Sequence, residues 1–201
     1  MKRGSLLLLA ICLGGAWWHW HTREPSPITR APGVLAPDPP RQRDLPAGTP
    51  LRHGDFDLTP LAEFNVQARL LSRLSYRFDE GAALAPLDFA IGWGRMSDTA
   101  VIERLGIQQG ARFFTYRWEE QPPIPPDEIV RSATNVHIIP ADAGVAGALS
   151  RLRAGEVIRL EGLLVEARRA DGWHWRSSLS REDSGAGACE LLLVQRVARV
   201  P

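Results

Sequence analysis

An uncharged apolar run at residues 6–13, with Lys2 and Arg3 before it and Trp17, Trp18 and Trp20 after it, divides this chain into parts that fold in different solvents. Crossing about 30 Å of hydrocarbon takes roughly 20 apolar residues, and the run reaches that length only if the indoles sit at headgroup level. The early cations favour the cytoplasmic side, which puts everything after residue 21 outside the inner membrane of a bacterium-like cell. Residues 1–21 therefore read as a single-pass anchor. Leu6, Leu7, Leu8 and Leu9 lie in its apolar part, and Trp17, Trp18 and Trp20 at its interface. The competing reading is a signal peptide, because Gly14-Gly15-Ala16 supplies a small-residue step. Cleavage after Ala16 would release a secreted protein. Cys12 is a poor lipidation site, since the branched Ile11 precedes it.

Residues 22–57 follow as a proline-rich linker. Pro25, Pro27, Pro32, Pro37, Pro39, Pro40, Pro46 and Pro50 stand among charges, with few large apolar residues to build a core. Such a stretch is expected to be disordered and extended, at about 3 Å per residue, and to hold the folded part well away from the bilayer. Residues 58–201 are long enough for one domain. Cys189 is the only cysteine there, so no disulfide can form within it and packing must supply its stability. The 24 basic residues nearly balance the 23 acidic ones, which argues against a nucleic-acid partner.

The punctuation of residues 58–201 predicts an α+β domain of roughly six or seven strands and two short helices. Strands are expected at residues 65–76, 87–93, 112–118, 134–139, 156–168, 173–179 and 189–200. The block Pro122-Pro123-Ile124-Pro125-Pro126 should end the third of these. One helix is expected from Ser97 or Asp98 through Leu105, and the other from an Asp142 cap to Arg153. Gly162 is a candidate bulge or corner, and Asp171-Gly172 a hairpin turn. A mostly antiparallel, partly closed β-barrel follows, OB-like or a highly curved sheet.

Three features can carry chemistry. In the strand holding His137, alternation places Asn135, His137 and Ile139 on the face opposite Val136 and Ile138, so His137 looks into solvent or a cleft if the latter pair is core. Asp88, between Leu87 and Phe89, falls on the open face of its own strand. The second feature is the segment around Trp173 and Trp175. Two indoles at period two, followed by Arg176, Arg181 and a Ser184-Gly185 loop, suit a ligand surface, the rings stacking and the guanidinium groups pairing with anions.

Cys189 is the third. A lone thiol outside the cytoplasm is either buried and inert or held reactive for a purpose. The order anchor, linker, β-barrel, His137 and Cys189 at a strand end resembles that of sortase transpeptidases. His137 followed by Leu149, Leu152 and Gly155-Glu156-Val157-Ile158 is similar to the segment after the sortase histidine. The resemblance implies a cysteine transpeptidase or hydrolase using Cys189 and His137. Ala188 stands where that family has a threonine. Arg196 lies on the face opposite Cys189, so Arg181 or Arg176 would have to supply the arginine.

The chain has no glycine-rich phosphate loop, no paired-Cys or His-Glu-x-x-His metal spacing and no Gly-x-Ser-x-Gly elbow, so neither cofactor nor metal is expected. Two functions remain. The leading one is a non-enzymatic periplasmic binding domain, held at the inner membrane, whose partner is an envelope protein or cell-wall component. The rival is the cysteine enzyme.

Overall fold

A computed structural model describes residues 26–46, 48–183, 185 and 187–201. The anchor residues named above and Ser184 lie outside the described residues. In chain order the strands are β1 (Arg41–Asp44), β2 (Leu51–His53), β3 (Phe56–Ser75) and β4 (Leu87–Gly92), then the hairpin β5 (Gln108–Gly110) and β6 (Phe113–Thr115). They continue as β7 (Ala133–Pro140), β8 (Val157–Arg169), β9 (His174–Arg176) and β10 (Glu190–Val200). The helices are α1 (Thr99–Ile102), α2 (Pro126–Ser132) and α3 (Ala143–Ser150).

The architecture is mostly β. Pairing runs β3-β4-β7-β10-β8 and returns from β8 to β3, so the sheet is partly ring-like. Every contact round this ring is antiparallel except β7 with β10, which run parallel. Strands β1 and β2 add to β3, and β9 to β8.

Alternation decides which side chains enter the ring. Ala62, Phe64, Val66, Ala68 and Leu70 of β3 point inward with Phe89 and Ile91 of β4 and Val136 and Ile138 of β7, and Leu149 and Leu152 close the cluster. The opposite parity of β7 and β10 packs outside, where Ile139, Leu191 and Leu193 meet Leu58, Val165 and Trp173. Gly162, the candidate bulge or corner, is a point of close backbone approach. A Cβ there would overlap the Leu193 carbonyl oxygen, and the β8–β10 register slips beside it, between Val194 and Arg196.

Three expectations are corrected. The described residues hold three helices rather than two, because the proline block, expected to end a strand, instead opens a helix. Pro125 stands at the N-cap of α2 and Pro126 at its first turn, where a missing N–H costs nothing. The aromatic strand expected at 112–118 is also cut to Phe113–Thr115, its start set by a tight turn in which Ala111 and Arg112 have positive φ, 48° and 69°.

Residues 26–53, read as an extended tether, instead lie along the ring. Ile28 N donates to Ala154 O at 2.7 Å, Gly33 N to Asp98 Oδ1 at 2.8 Å, and Leu35 N and Ala36 N both to Ser97 Oγ at 3.0 Å. Ala36 is fully buried, and β1 pairs with β3 from Arg41 opposite Asn65 to Asp44 opposite Ala62. Proline lowers the chain entropy lost on docking and removes donors only at its own positions, so the amides between prolines remain free to bond.

Candidate functional site

The pairing of β4 with β7 sets Asp88 opposite His137 and Ala90 opposite Asn135, all on the outer face of the ring. An outer face normally meets water. Here the β5–β6 hairpin folds across it, and Asp88 is 0% exposed, Asn135 3% and His137 3%.

Arg112 fastens the hairpin. Its Nη1 donates to Asp88 Oδ1 at 2.9 Å and to the Ala85 carbonyl at 2.8 Å, while Nε and Nη2 fork onto Asp79 at 2.9 and 2.6 Å. Its backbone N–H donates to the Tyr76 hydroxyl at 3.0 Å, and its guanidinium lies 3.7 Å from the centre of that ring. Burial alone would lower the Arg112 pKa. The bonds to Asp79 and Asp88 outweigh it and hold the group above its ordinary value.

His137 Nδ1 lies 2.9 Å from Asp88 Oδ1, and its ring packs 4.4 Å from that of Trp175. Asn135 joins the hairpin to the sheet. Its Nδ2 donates to Arg112 O at 3.0 Å and reaches Asp88 Oδ2 at 3.4 Å, and its Oδ1 accepts from Gln109 Nε2 at 2.8 Å. Cys189 stands one position before β10, beside Asn135. Its Sγ is 3.9 Å from Asn135 Nδ2 and 3.8 Å from Arg112 O. Burial pushes the thiol up to about 11, the Asn135 hydrogen bond opposing and the Asp88 charge reinforcing. At neutral pH this is a thiol, a weak nucleophile.

Beside the network lies a cleft of about 130 Å³, lined by Phe113, Phe114 and Tyr116 together with Asn135, Asp183 and Cys189. Phe114, Tyr116 and Trp118 continue as a ladder of rings 5.9 and 6.2 Å apart.

The residues singled out from sequence are dispersed. His137 and Cys189 share the outer face, yet His137 turns Nδ1 to Asp88 and the thiol turns to Asn135 and Arg112. Trp173 and Trp175 meet edge to face at 6.1 Å and pack half-buried on the outer core, so they do not form one flat stacking surface. Arg176 pairs with Glu166 at 2.6 Å. Arg181 enters the ring, forming an ion pair with Glu190 and donating to Gln42 Oε1 at 3.2 Å. Glu190 is 1% exposed and also accepts from Thr134 Oγ1. Burial lowers the Arg181 pKa to about 10, the Asp183 charge opposing.

Arg112, Asn135, Gln109 and Tyr76 were not singled out from sequence. The one usable signal was Asp88, a carboxylate inside an apolar strand. Its expected place on an open face is corrected, since Asp88 is 0% exposed beneath a hairpin that has no local signature. Among the described residues no group of three or more His, Cys, Asp and Glu side chains is arranged to hold a metal ion. No protein-family model, curated protein or solved structure matches the chain.

Proposed function

We propose that this chain is a non-enzymatic binding domain held at the outer face of the inner membrane, with the β6–Cys189 cleft as its ligand site. The ring is read as a small OB-like barrel. Its pairing order, its single parallel pair and a helix between β7 and β8 support that reading. In such barrels the second and third strands and the loops flanking them carry the ligand, and β4 and β7 occupy those places.

One observation carries the choice of binding over catalysis. Hydrogen bonds join Asp88, Arg112, Asn135 and Cys189, and the partly buried thiol is held protonated, while the adjoining cleft is lined by Phe113, Phe114 and Tyr116. Hydrogen-bonded polar networks fix geometry, and aromatic-lined clefts bind. The cysteine enzyme has less support, since its thiol lacks a base among its hydrogen-bond partners. The anchored location rests on residues 1–21 as a sequence. Among the described residues no helix is long and apolar enough to cross a membrane.

The test has two parts. Alkaline phosphatase fused after Pro201 should be active and β-galactosidase at the same position inactive, and the reverse would overturn the location. The full chain in detergent, titrated with muropeptides released from peptidoglycan, should give a saturable change in tryptophan fluorescence that Ala188→Phe, filling the cleft, abolishes. No saturable change, or the appearance of a cleaved or transpeptidated muropeptide, would overturn cell-wall binding as its function.

A further inference from the structure

The docked N-terminal stretch decides which end of the domain faces the bilayer. Ser26 O accepts from Arg153 Nε at 2.9 Å, Ile28 N donates to Ala154 O, and Arg30 Nε reaches Gly155 O at 3.4 Å. Gly155 has φ of 91°, and a Cβ there would overlap the Ile28 carbonyl oxygen, so glycine is what lets the two backbones lie together. If Trp20 marks the membrane interface, only residues 21–25 separate it from a segment already fixed to the domain. Five residues span at most on the order of 20 Å even when fully extended.

The surface held there carries four arginines, while the carboxylate of Asp98, partly exposed, accepts from Gly33 N of the same docked stretch. Arg151 and Arg199 are exposed, and Arg30 and Arg153 are partly so. Glu156, which pairs with Arg199 at 2.9 Å and accepts from Arg153 N, is itself 7% exposed and presents little negative charge to the outside. Arg199 also donates to the Arg151 carbonyl, which draws the end of β10 to the end of α3. These elements form one end of the ring, where β8 begins with Val157 opposite Val200 and Arg69. The β2–β3 turn lies at the other end of β8, where Phe56 pairs with Arg169.

We propose that this end, centred on Arg30, Arg151, Arg153 and Arg199, is a docking surface for the anionic phospholipid headgroups of the membrane that carries the anchor. The proposal rests on the anchored reading above. A short connection keeps the guanidinium groups within reach of the headgroups, and charge attraction selects this face over others the connection would allow. The cleft at Cys189 is then held at a fixed height and orientation above the bilayer.

The test uses the full chain with Cys12→Ser and Cys189→Ser, carrying one new thiol at Ser150→Cys or at Asp55→Cys in the β2–β3 turn. Each thiol is labelled with a bimane fluorophore. The protein is reconstituted into vesicles of phosphatidylcholine and phosphatidylglycerol containing a headgroup-nitroxide lipid. The label at 150 should be quenched about two-fold or more beyond the label at 55, and added salt or Arg151→Glu should reduce the difference. Protein that floats with the vesicles but quenches equally at both positions overturns the docking and leaves the anchor standing. Unchanged quenching in phosphatidylcholine alone overturns the anionic assignment. Protein that does not float with vesicles overturns the anchor itself, and the docking with it.

Discussion

Arg112 spans from a two-residue turn to the buried carboxylate of Asp88, Nη1 to Oδ1 at 2.9 Å, while its own backbone stands at φ of 69°. One residue thus bears both the strain of the hairpin and the charge that keeps the hairpin in place. Removing the guanidinium leaves Asp88 buried without its cation, and breaking a buried pair this way costs about 3–5 kcal/mol. Arg112→Met should lower stability by that order in urea unfolding. Arg112→Met with Asp88→Asn should recover part of the loss, and additive effects would show that the two residues are not coupled.

The turn itself offers a gain. Ala111 precedes Arg112 at φ of 48°, a region that a β-carbon disfavours and glycine enters freely. A Gly occupies such positions in hairpins of this turn type. Ala111→Gly should therefore raise stability by about 0.5–1 kcal/mol despite the added chain entropy. A lower urea midpoint would show that the turn is not strained.

Cys189 should be nearly silent to thiol reagents at neutral pH in a Cys12→Ser background and react promptly once unfolded. With the folded thiol at about 11 and its unstrained value at 9.0, the native state keeps a proton that the unfolded chain releases between these pH values. Its contribution to stability is whole below pH 9 and fades as pH rises towards about 11. Cys189→Ala should lose less stability than the parent across that window. Rapid labelling of the native thiol at pH 7 would restore the cysteine enzyme as a contender.

Inside the ring, Arg181 and Glu190 form an ion pair that burial makes expensive on both sides. Arg181→Met alone should cost about 3–5 kcal/mol by stranding Glu190. Arg181→Met with Glu190→Gln should come close to the parent, since a neutral amide can keep the Thr134 contact. A double variant as unstable as the single one would locate the loss in packing of Arg181 over Phe64, 5.5 Å from its ring centre.

Much of the fold was legible because its signals are local. The start of β4 just after Pro86, the end of β7 at Pro140, the Asp142 cap that accepts from Val145 N at 2.8 Å, and the close approach at Gly162 all act within a few residues of where they are written. The burial of Asp88 was not legible, since it depends on Arg112 arriving from a hairpin that is brief and strained. The docking of residues 26–53 was hidden for a like reason. Proline content describes what a segment does alone, whereas Ile28 and Ala36 are placed by Ala154 and Ser97, remote in sequence. The tryptophans misled because period two says that Trp173 and Trp175 share a side, and leaves open that their rings meet at 84°.

The parallel contact between β7 and β10 has a consequence for biogenesis. β10 slots between β7 and β8, with Leu192 facing Ile138 on one flank and Leu164 on the other, so the edges of β7 and β8 that face it stay unpaired until synthesis has passed both. A chain still being synthesised must then carry these apolar edges bare and close them only once β10 is made, so a holdase that shields bare strands would raise the yield of closed molecules.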